Sequence, residues 1–373
     1  MDLSFLRPLY DRPGPWASAY LDITADVPTA PAERELRWRR LREQLVSDGA
    51  DPGTVAALDD AILGREPTPG RHGLVVFASD GLVVMDETLP APPPADSARW
   101  APLPDVMPLL AARGEEISWL RVVADRTGAD LEGVSTGGVA RRDEVIGQED
   151  FPIRKVKPGG WSSRRYQQAA EVTWQRNAGD VAAAADALGR EIGAEILVVG
   201  GDVRAVQQFM EQLPAYWQGR VVRTEAGSRA PGADPEAIDE ATAAAITDAA
   251  RRHTDQVLDR FGVQLGQPEL EGTGLPAVVA ALQRGQAETV LSAAPHLLAE
   301  PIWIGPEATH LALSAEDLTA MGVENPQRDR ADAALARAMA GTDAQLVMLD
   351  QDDAPGGAPL AVVLRYADVP TSS

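Results

Sequence analysis

The stretch Lys157-Pro158-Gly159-Gly160-Trp161-Ser162-Ser163-Arg164-Arg165-Tyr166 stands apart from the rest of the chain. A glycine pair after a proline makes a loop with access to backbone angles that other residues avoid. Trp161 falls at the tip of that loop, and Ser162 or Ser163 is a candidate N-cap for the helix that follows. Residues 152–170 hold five basic side chains, Arg154, Lys155, Lys157, Arg164 and Arg165, and no Asp or Glu. The chain as a whole carries a net charge of −22. A basic, glycine-tipped loop on an acidic molecule reads as one finger directed at a polyanion.

Working outward, 373 residues suffice for two or three domains, each with its own core. The hydrophobic share of 45% and charged share of 24% are those of an ordinary soluble globular protein. With no cysteine there is no disulfide, thiolate metal site or thiol nucleophile, which suits a cytoplasmic protein. Met1-Asp2-Leu3-Ser4-Phe5-Leu6-Arg7-Pro8 has no basic segment followed by an apolar run, so no signal peptide is expected. No run approaches 18 apolar residues, so no membrane partner is expected. The acidic total argues against diffuse nucleic-acid binding but leaves room for a local basic contact.

Residues 1–114 read as a small α/β N-terminal domain. Residues 17–23 alternate like a strand, and 32–45 form a helix with Leu36, Leu41 and Leu45 as its buried positions. The arginines of that helix, Arg34, Arg37, Arg39, Arg40 and Arg42, either touch RNA or, with Glu33, Glu35 and Glu43 beside them, form a solvated face. A second helix at 54–63 precedes strands at 73–78 and 82–86, joined by a Ser79-Asp80-Gly81 turn. Residues 90–94 are a proline-rich connector and 104–112 a short helix.

Residues 115–262 form the middle domain. A strand at 118–124 ends in Asp125, and a hairpin partner follows at 129–134. After the Gly159-Gly160-Trp161 loop, helices are expected at 162–179 and 180–193, separated at Gly179. The buried strand Ile196-Leu197-Val198-Val199 runs into Gly200-Gly201-Asp202 and a helix at 203–213. That arrangement suggests either a phosphate site at a helix N-terminus or an ordinary βα turn. A strand at 219–224, a loop at 226–235 and a long helix at 236–261 complete the unit. Residues 263–373 then alternate helix and strand, at 275–284, 288–292, 301–304, 331–340, 344–349 and 360–366, in the order of a compact α/β/α sandwich.

The loop resembles the Gly-Gly-Gln loop and Ser-x-x-Arg-Phe helix start of the eukaryotic and archaeal class I release factor and Pelota family. Gly159, Gly160, Ser162, Arg165 and Tyr166 match, while Trp161 stands where the glutamine would be. Ala281-Leu282-x-x-Gly285-x-x-Glu288-Thr289 resembles the start of that family's third domain. The chain is similar to the bacterial, actinobacterial branch of the family, which includes a ribosome hibernation factor. The resemblance implies three domains: an N-terminal α/β domain, a ribonuclease-H-like middle domain and a C-terminal α/β/α domain like the kink-turn-binding ribosomal protein fold. It implies a ribosome-binding factor that occupies the A site, with the loop near the peptidyl transferase centre and the third domain offered to a translational GTPase such as elongation factor Tu.

In the release factors the glutamine helps place the hydrolytic water, and an indole at position 161 removes that amide. A backbone N–H remains there, so the resemblance leaves two activities open. One is a non-hydrolytic factor acting in hibernation or stress, and the other a peptidyl-tRNA hydrolase working through the same loop. The indole suits stacking on a nucleobase or anchors the loop on its own domain. The rRNA- or tRNA-binding set is therefore Gly159, Gly160, Trp161, Arg154, Lys155, Lys157, Arg164 and Arg165, the cationic ones directed at phosphates. The Asn-Ile-Lys-Ser motif of stop-codon reading is absent from the first domain. Asp125 is a metal ligand only if several carboxylates converge on it, and otherwise a turn former. His72, His253, His296 and His310 have no metal-ligand spacing, so no metal, cofactor or catalytic residue is assigned.

Overall fold

The computed structural model describes residues 1–366 except 27–28, 68, 137, 148–160, 231, 267–271, 294–298 and 351–352; for 161–171 it describes the backbone alone. The described residues form a mixed α/β structure with four sheets. It divides into two compact units, residues 1–115 with 254–373, and residues 116–253.

In the first unit the N-terminal segment runs α1 (Arg7–Tyr10), β1 (Trp16–Asp22), α2 (Ala30–Ser47), α3 (Pro52–Leu63), β2 (Gly73–Ser79), β3 (Leu82–Leu89), β4 (Ser97–Ala101) and α4 (Met107–Arg113). The strands form an antiparallel sheet of order β3-β2-β1-β4. β1 and β2 are buried on both faces. Ala17, Ala19, Leu74 and Val76 meet Trp38, Leu41, Leu45 and Leu58 of α2 and α3. The alternate residues Trp16, Tyr20, Val75 and Phe77 meet the other core. Asp80 and Gly81 both take positive φ (50° and 74°), the geometry that a two-residue hairpin requires and that Asp-Gly accommodates.

The C-terminal segment, separated from it in the chain by β5 to β9 and α5 to α7, runs α8 (Gly274–Gln283), β10 (Ala287–Ser292), β11 (Pro301–Ile304), β12 (Leu311–Ala312), α9 (Ala315–Ala320), β13 (Gln327–Arg330), α10 (Ala331–Thr342), β14 (Gln345–Met348) and β15 (Leu360–Leu364). One sheet has order β14-β10-β15, with β14 parallel and β15 antiparallel to β10. A second, antiparallel sheet has order β12-β11-β13. The two outer segments, expected as separate domains, share one buried cluster that runs from Leu3, Leu6, Leu9 and Leu110 to Val278, Leu282, Leu335 and Met339. Polar links reinforce it. Asp329, fully buried at its side chain, pairs with Arg99 and accepts from Leu103 N at 2.8 Å.

The second unit runs β5 (Trp119–Asp125), β6 (Gly128–Val134), β7 (Ala140–Ile146), α5 (Trp161–Glu191), β8 (Ile196–Gly201), α6 (Val203–Gln212), β9 (Val221–Arg223) and the start of α7 (Glu236–Leu265). Its sheet has order β7-β6-β5-β8-β9, antiparallel from β5 to β7 and parallel from β5 to β9. α5 and α6 cover one face through Val181, Ala185, Val206 and Phe209. Ile238, Ala245 and Ala249 of α7 cover the other. Val257 and Phe261, further along the same helix, belong instead to the core beneath β10, β14 and β15. A domain boundary at 262/263 would therefore fall after residues that already serve the C-terminal sheet.

Several expectations need correction. α5 is one helix of 31 residues, not two meeting at Gly179. A mid-helix glycine costs about 1 kcal/mol against alanine, which the buried row Ala178, Val181, Ala182 and Ala185 outweighs. In α2 it is Trp38 that is buried, while Leu36 is half exposed. The indole N–H of Trp38 reaches Asp59 at 2.6 Å, so this aromatic has an apolar seat and a polar partner. β4, β7, β13 and α9 were not expected. β7, Ala-Arg-Arg-Asp-Glu-Val-Ile, is an exposed edge strand with no apolar alternation to betray it.

Candidate nucleic-acid interface

Arg154, Lys155, Lys157, Gly159 and Gly160 lie outside the described residues. Trp161 has helical backbone and opens α5, so Ser162 and Ser163 sit inside the first turn and neither is its N-cap. Helix growth is cooperative, and one added residue at an end costs little. Arg164 closes the first turn and Arg165 begins the next. No acidic residue occupies that turn. The positive end of the helix dipole disfavours cations there by roughly 0.3–1 kcal/mol each, so folding gains nothing from arginines at these positions. They suit a helix start that meets an anion.

The rest of the helix fixes where that start sits. Among described side chains the first buried residue of α5 is Asn177, about 24 Å along the axis from Trp161 at 1.5 Å per residue. Asn177 donates to the carbonyl of Arg126 at 3.1 Å. Further on, Asp186 accepts from the indole N–H of Trp217 at 2.9 Å and from Arg190 at 3.0 Å, which together hold its carboxyl below the usual range. The C-terminal half of α5 is thus locked to its sheet, and the half that carries Trp161, Arg164 and Arg165 contributes no buried residue among those described.

The other candidates resolve to structural roles. Asp202 caps α6, accepting from Arg204 N at 3.0 Å and Ala205 N at 3.1 Å. Its carboxylate takes the amides a phosphate would need, so Gly200-Gly201-Asp202 is a βα turn. Gly201 is obligatory: its φ is 118°, and a Cβ there would lie 2.0 Å from the Ala124 carbonyl oxygen. Asp125 forms a turn, accepting from Thr127 N and Oγ1, both at 2.7 Å. It also meets Arg229, a residue in the 226–235 loop that sequence reading passed over. Arg229 bridges Asp125 at 3.1 Å, Asp130 at 3.0 Å and Glu144 at 2.9 Å. Partial burial raises the Asp125 carboxyl, but the Thr127 hydrogen bonds and Arg229 outweigh it and hold it below the usual range. A guanidinium thus stands where a metal cation would have to sit. Among the described residues no group of three His, Asp or Glu could hold a metal ion.

Four of the five arginines of the α2 row are spent internally, while Arg40 is exposed and makes no ion pair among the described residues. Arg34 donates to the Arg65 carbonyl at 2.9 Å, Arg37 meets Asp22 at 2.8 Å, Arg39 meets Glu35 at 3.2 Å and Arg42 meets Asp59 at 3.1 Å. His310 and Glu307 make a local turn, His310 N donating to the Glu307 carbonyl at 3.0 Å. His296 lies outside the described residues. No helix of the described residues is long and apolar enough to cross a membrane.

The uncharacterized protein Rv2629 of Mycobacterium tuberculosis (strain H37Rv) is 30% identical over 367 residues, covering 97% of this chain and 96% of its own. Residues 118–267 match the family model described as bacterial archaeo-eukaryotic release factor family 2. The chain belongs to that family. The match spans β5 to α7, so the unit with the glycine loop is where the family signature lies. Among solved structures, the chain is similar to an archaeal translation termination factor at 16% identity, covering 97% of this chain and 96% of the other, with a TM-score of 0.24. It is also similar to the archaeal Pelota of a ribosome-bound model with ABCE1, at 13% identity, 98% and 94% coverage and a TM-score of 0.41.

Proposed function

We propose that this protein is a ribosome-binding translation factor that occupies the A site without hydrolysing peptidyl-tRNA, in hibernation or stress. Membership in a release-factor family through residues 118–267 carries the reading. The loop chemistry gives it direction. Gly159 and Gly160 allow close backbone approach, Arg154, Lys155, Lys157, Arg164 and Arg165 supply cations for rRNA or tRNA phosphates, and Trp161 offers a ring to stack where the family's glutamine would place water. The C-terminal segment, in this reading a relative of the kink-turn-binding fold, docks a translational GTPase such as elongation factor Tu, and the ribonuclease-H-like middle unit holds the loop.

The test is co-sedimentation of the purified full chain with vacant bacterial ribosomes across a salt series, paired with a peptidyl-tRNA hydrolysis assay. Salt-sensitive binding without turnover is expected. Turnover by the wild type would replace this reading with a peptidyl-tRNA hydrolase acting through the backbone at position 161. Trp161→Gln, which returns the amide, is expected to raise hydrolysis above the wild-type level. Absence of ribosome binding, with and without elongation factor Tu, would reject both.

A further inference from the structure

Two points far apart in sequence, Gly147 just after β7 and Asn177 on α5, converge on the turn between β5 and β6. Gly147 N donates to the Thr127 carbonyl at 2.6 Å, and the Asn177 side-chain amide donates to the Arg126 carbonyl at 3.1 Å. The two residues also touch each other: a Cβ on Gly147 would lie 2.5 Å from Asn177 Nδ2 and 2.6 Å from its Oδ1. Asn177 is only 2% exposed. The turn itself is held by Asp125, which accepts from Thr127 N and Oγ1 and pairs with Arg229. Residues 148–176, between the two points in sequence, include every member of the proposed RNA-binding set.

Arg126 grips α5 twice. Its carbonyl holds Asn177, and one turn earlier its guanidinium carbon lies 4.8 Å from the centroid of the Trp174 ring, a cation–π contact. The same guanidinium stands 3.6 Å from Asp202, which caps α6. Two contacts on successive turns of a helix fix its tilt as well as its rotation, whereas one would leave a pivot. Among the described side chains of α5 none before Asn177 is buried. From Asn177 to Trp161 is about 24 Å of helix, so a tilt of about 10° at Asn177 moves the helix start by about 4 Å. Such a displacement is enough to lose contacts whose geometry must hold within about 0.5 Å.

We infer that Asn177 and Arg126 are positioning residues for the ribosome contact, a role that rests on the ribosome-binding reading for what the helix meets but on the geometry alone for where it points. They aim the N-terminal half of α5, and residue 147 is glycine because the Asn177 amide fills the space a Cβ would take.

The experiment measures the aim directly. The chain has no cysteine, so spin labels on Ser163→Cys and Gln207→Cys report one distance, from the start of α5 to α6, by double electron–electron resonance. The wild-type background is expected to give a single narrow distribution, and Asn177→Ala and Arg126→Ala are each expected to broaden it about twofold through the long lever. In unlabelled protein held well below its Tm, Asn177→Ala is expected to weaken ribosome binding about tenfold with an unchanged salt slope, because no phosphate contact is removed. Gly147→Ala is expected to lower Tm by about 4 °C, but by less than about 1 °C when Asn177 is already Ala, since the added methyl then has room. A broad distribution in the wild-type background, or an unchanged one in both variants, overturns the positioning role even if stability falls. Additive Tm losses in the double variant overturn the reason given for Gly147. If the wild type does not bind ribosomes, the role in binding fails with the proposed function, while the distances still decide whether Arg126 and Asn177 aim the helix.

Discussion

The chain twice writes a glycine pair immediately before a helix: Gly200-Gly201-Asp202 before α6 and Gly159-Gly160-Trp161 at the head of α5. The first is closed. Asp202 neutralises its helix start with its own carboxylate, and Gly201 is pressed against the Ala124 backbone. The second has no acidic residue in its first turn, five cations in the surrounding sequence and an aromatic where the acid would be. One glycine turn thus serves packing, while the other pair precedes, in sequence, a helix whose first turn holds no acidic residue. Glycines alone do not distinguish a ligand site from a tight turn, whereas the residue that follows them does.

Substitutions on both sides sharpen that contrast. The largest effect is expected at the closed turn: Gly201→Ala places a Cβ 2.0 Å from the Ala124 oxygen at a φ of 118°, and should cost at least about 3 kcal/mol in denaturant unfolding. The folded fraction should still bind ribosomes normally. At the open start, Arg164→Glu with Arg165→Glu should weaken ribosome binding at least about a hundredfold and flatten the slope of log K against log salt by about 1.5. Its unfolding midpoint should hardly move, and a loss of stability equal to the loss of binding would break the comparison. Trp161→Ala is expected to reduce affinity about tenfold through lost stacking, with salt dependence unchanged. Asp202→Ala removes a cap and should cost about 1 kcal/mol of stability without touching ribosome affinity. The smallest effect is expected for Arg39→Glu with Arg40→Glu on α2, about twofold or less in sedimentation, since that row belongs to the protein's own surface.

Strand and helix order in both units was legible because apolar runs such as Ile196-Leu197-Val198-Val199 and turn residues such as Asp80-Gly81 carry local signals. β7 and β13 escaped notice because charged edge strands hold no apolar period, and the single α5 because a surface glycine breaks a helix on paper more readily than in a packed layer. The cationic loop was legible as composition. Its helix start at Trp161 and the distance from there to Asn177, the first buried residue among the described side chains, were not, since burial depends on what faces the helix.

What the sequence by itself determined is the location of the unusual charge, the family it resembles and the replacement of an amide by an indole at position 161. The tertiary structure decided which other candidates were already occupied. Four of the five α2 arginines met nearby carbonyls and carboxylates, Asp125 met Arg229 across 104 residues, and Asp202 met its own helix. It also left Arg337 buried on α10, donating to the Gly305 and His310 carbonyls and in no ion pair among the described residues. The physical reason is the same in each case: a charge's role is set by the partners within a few ångströms, and those partners are brought together by folding, not by their order along the chain.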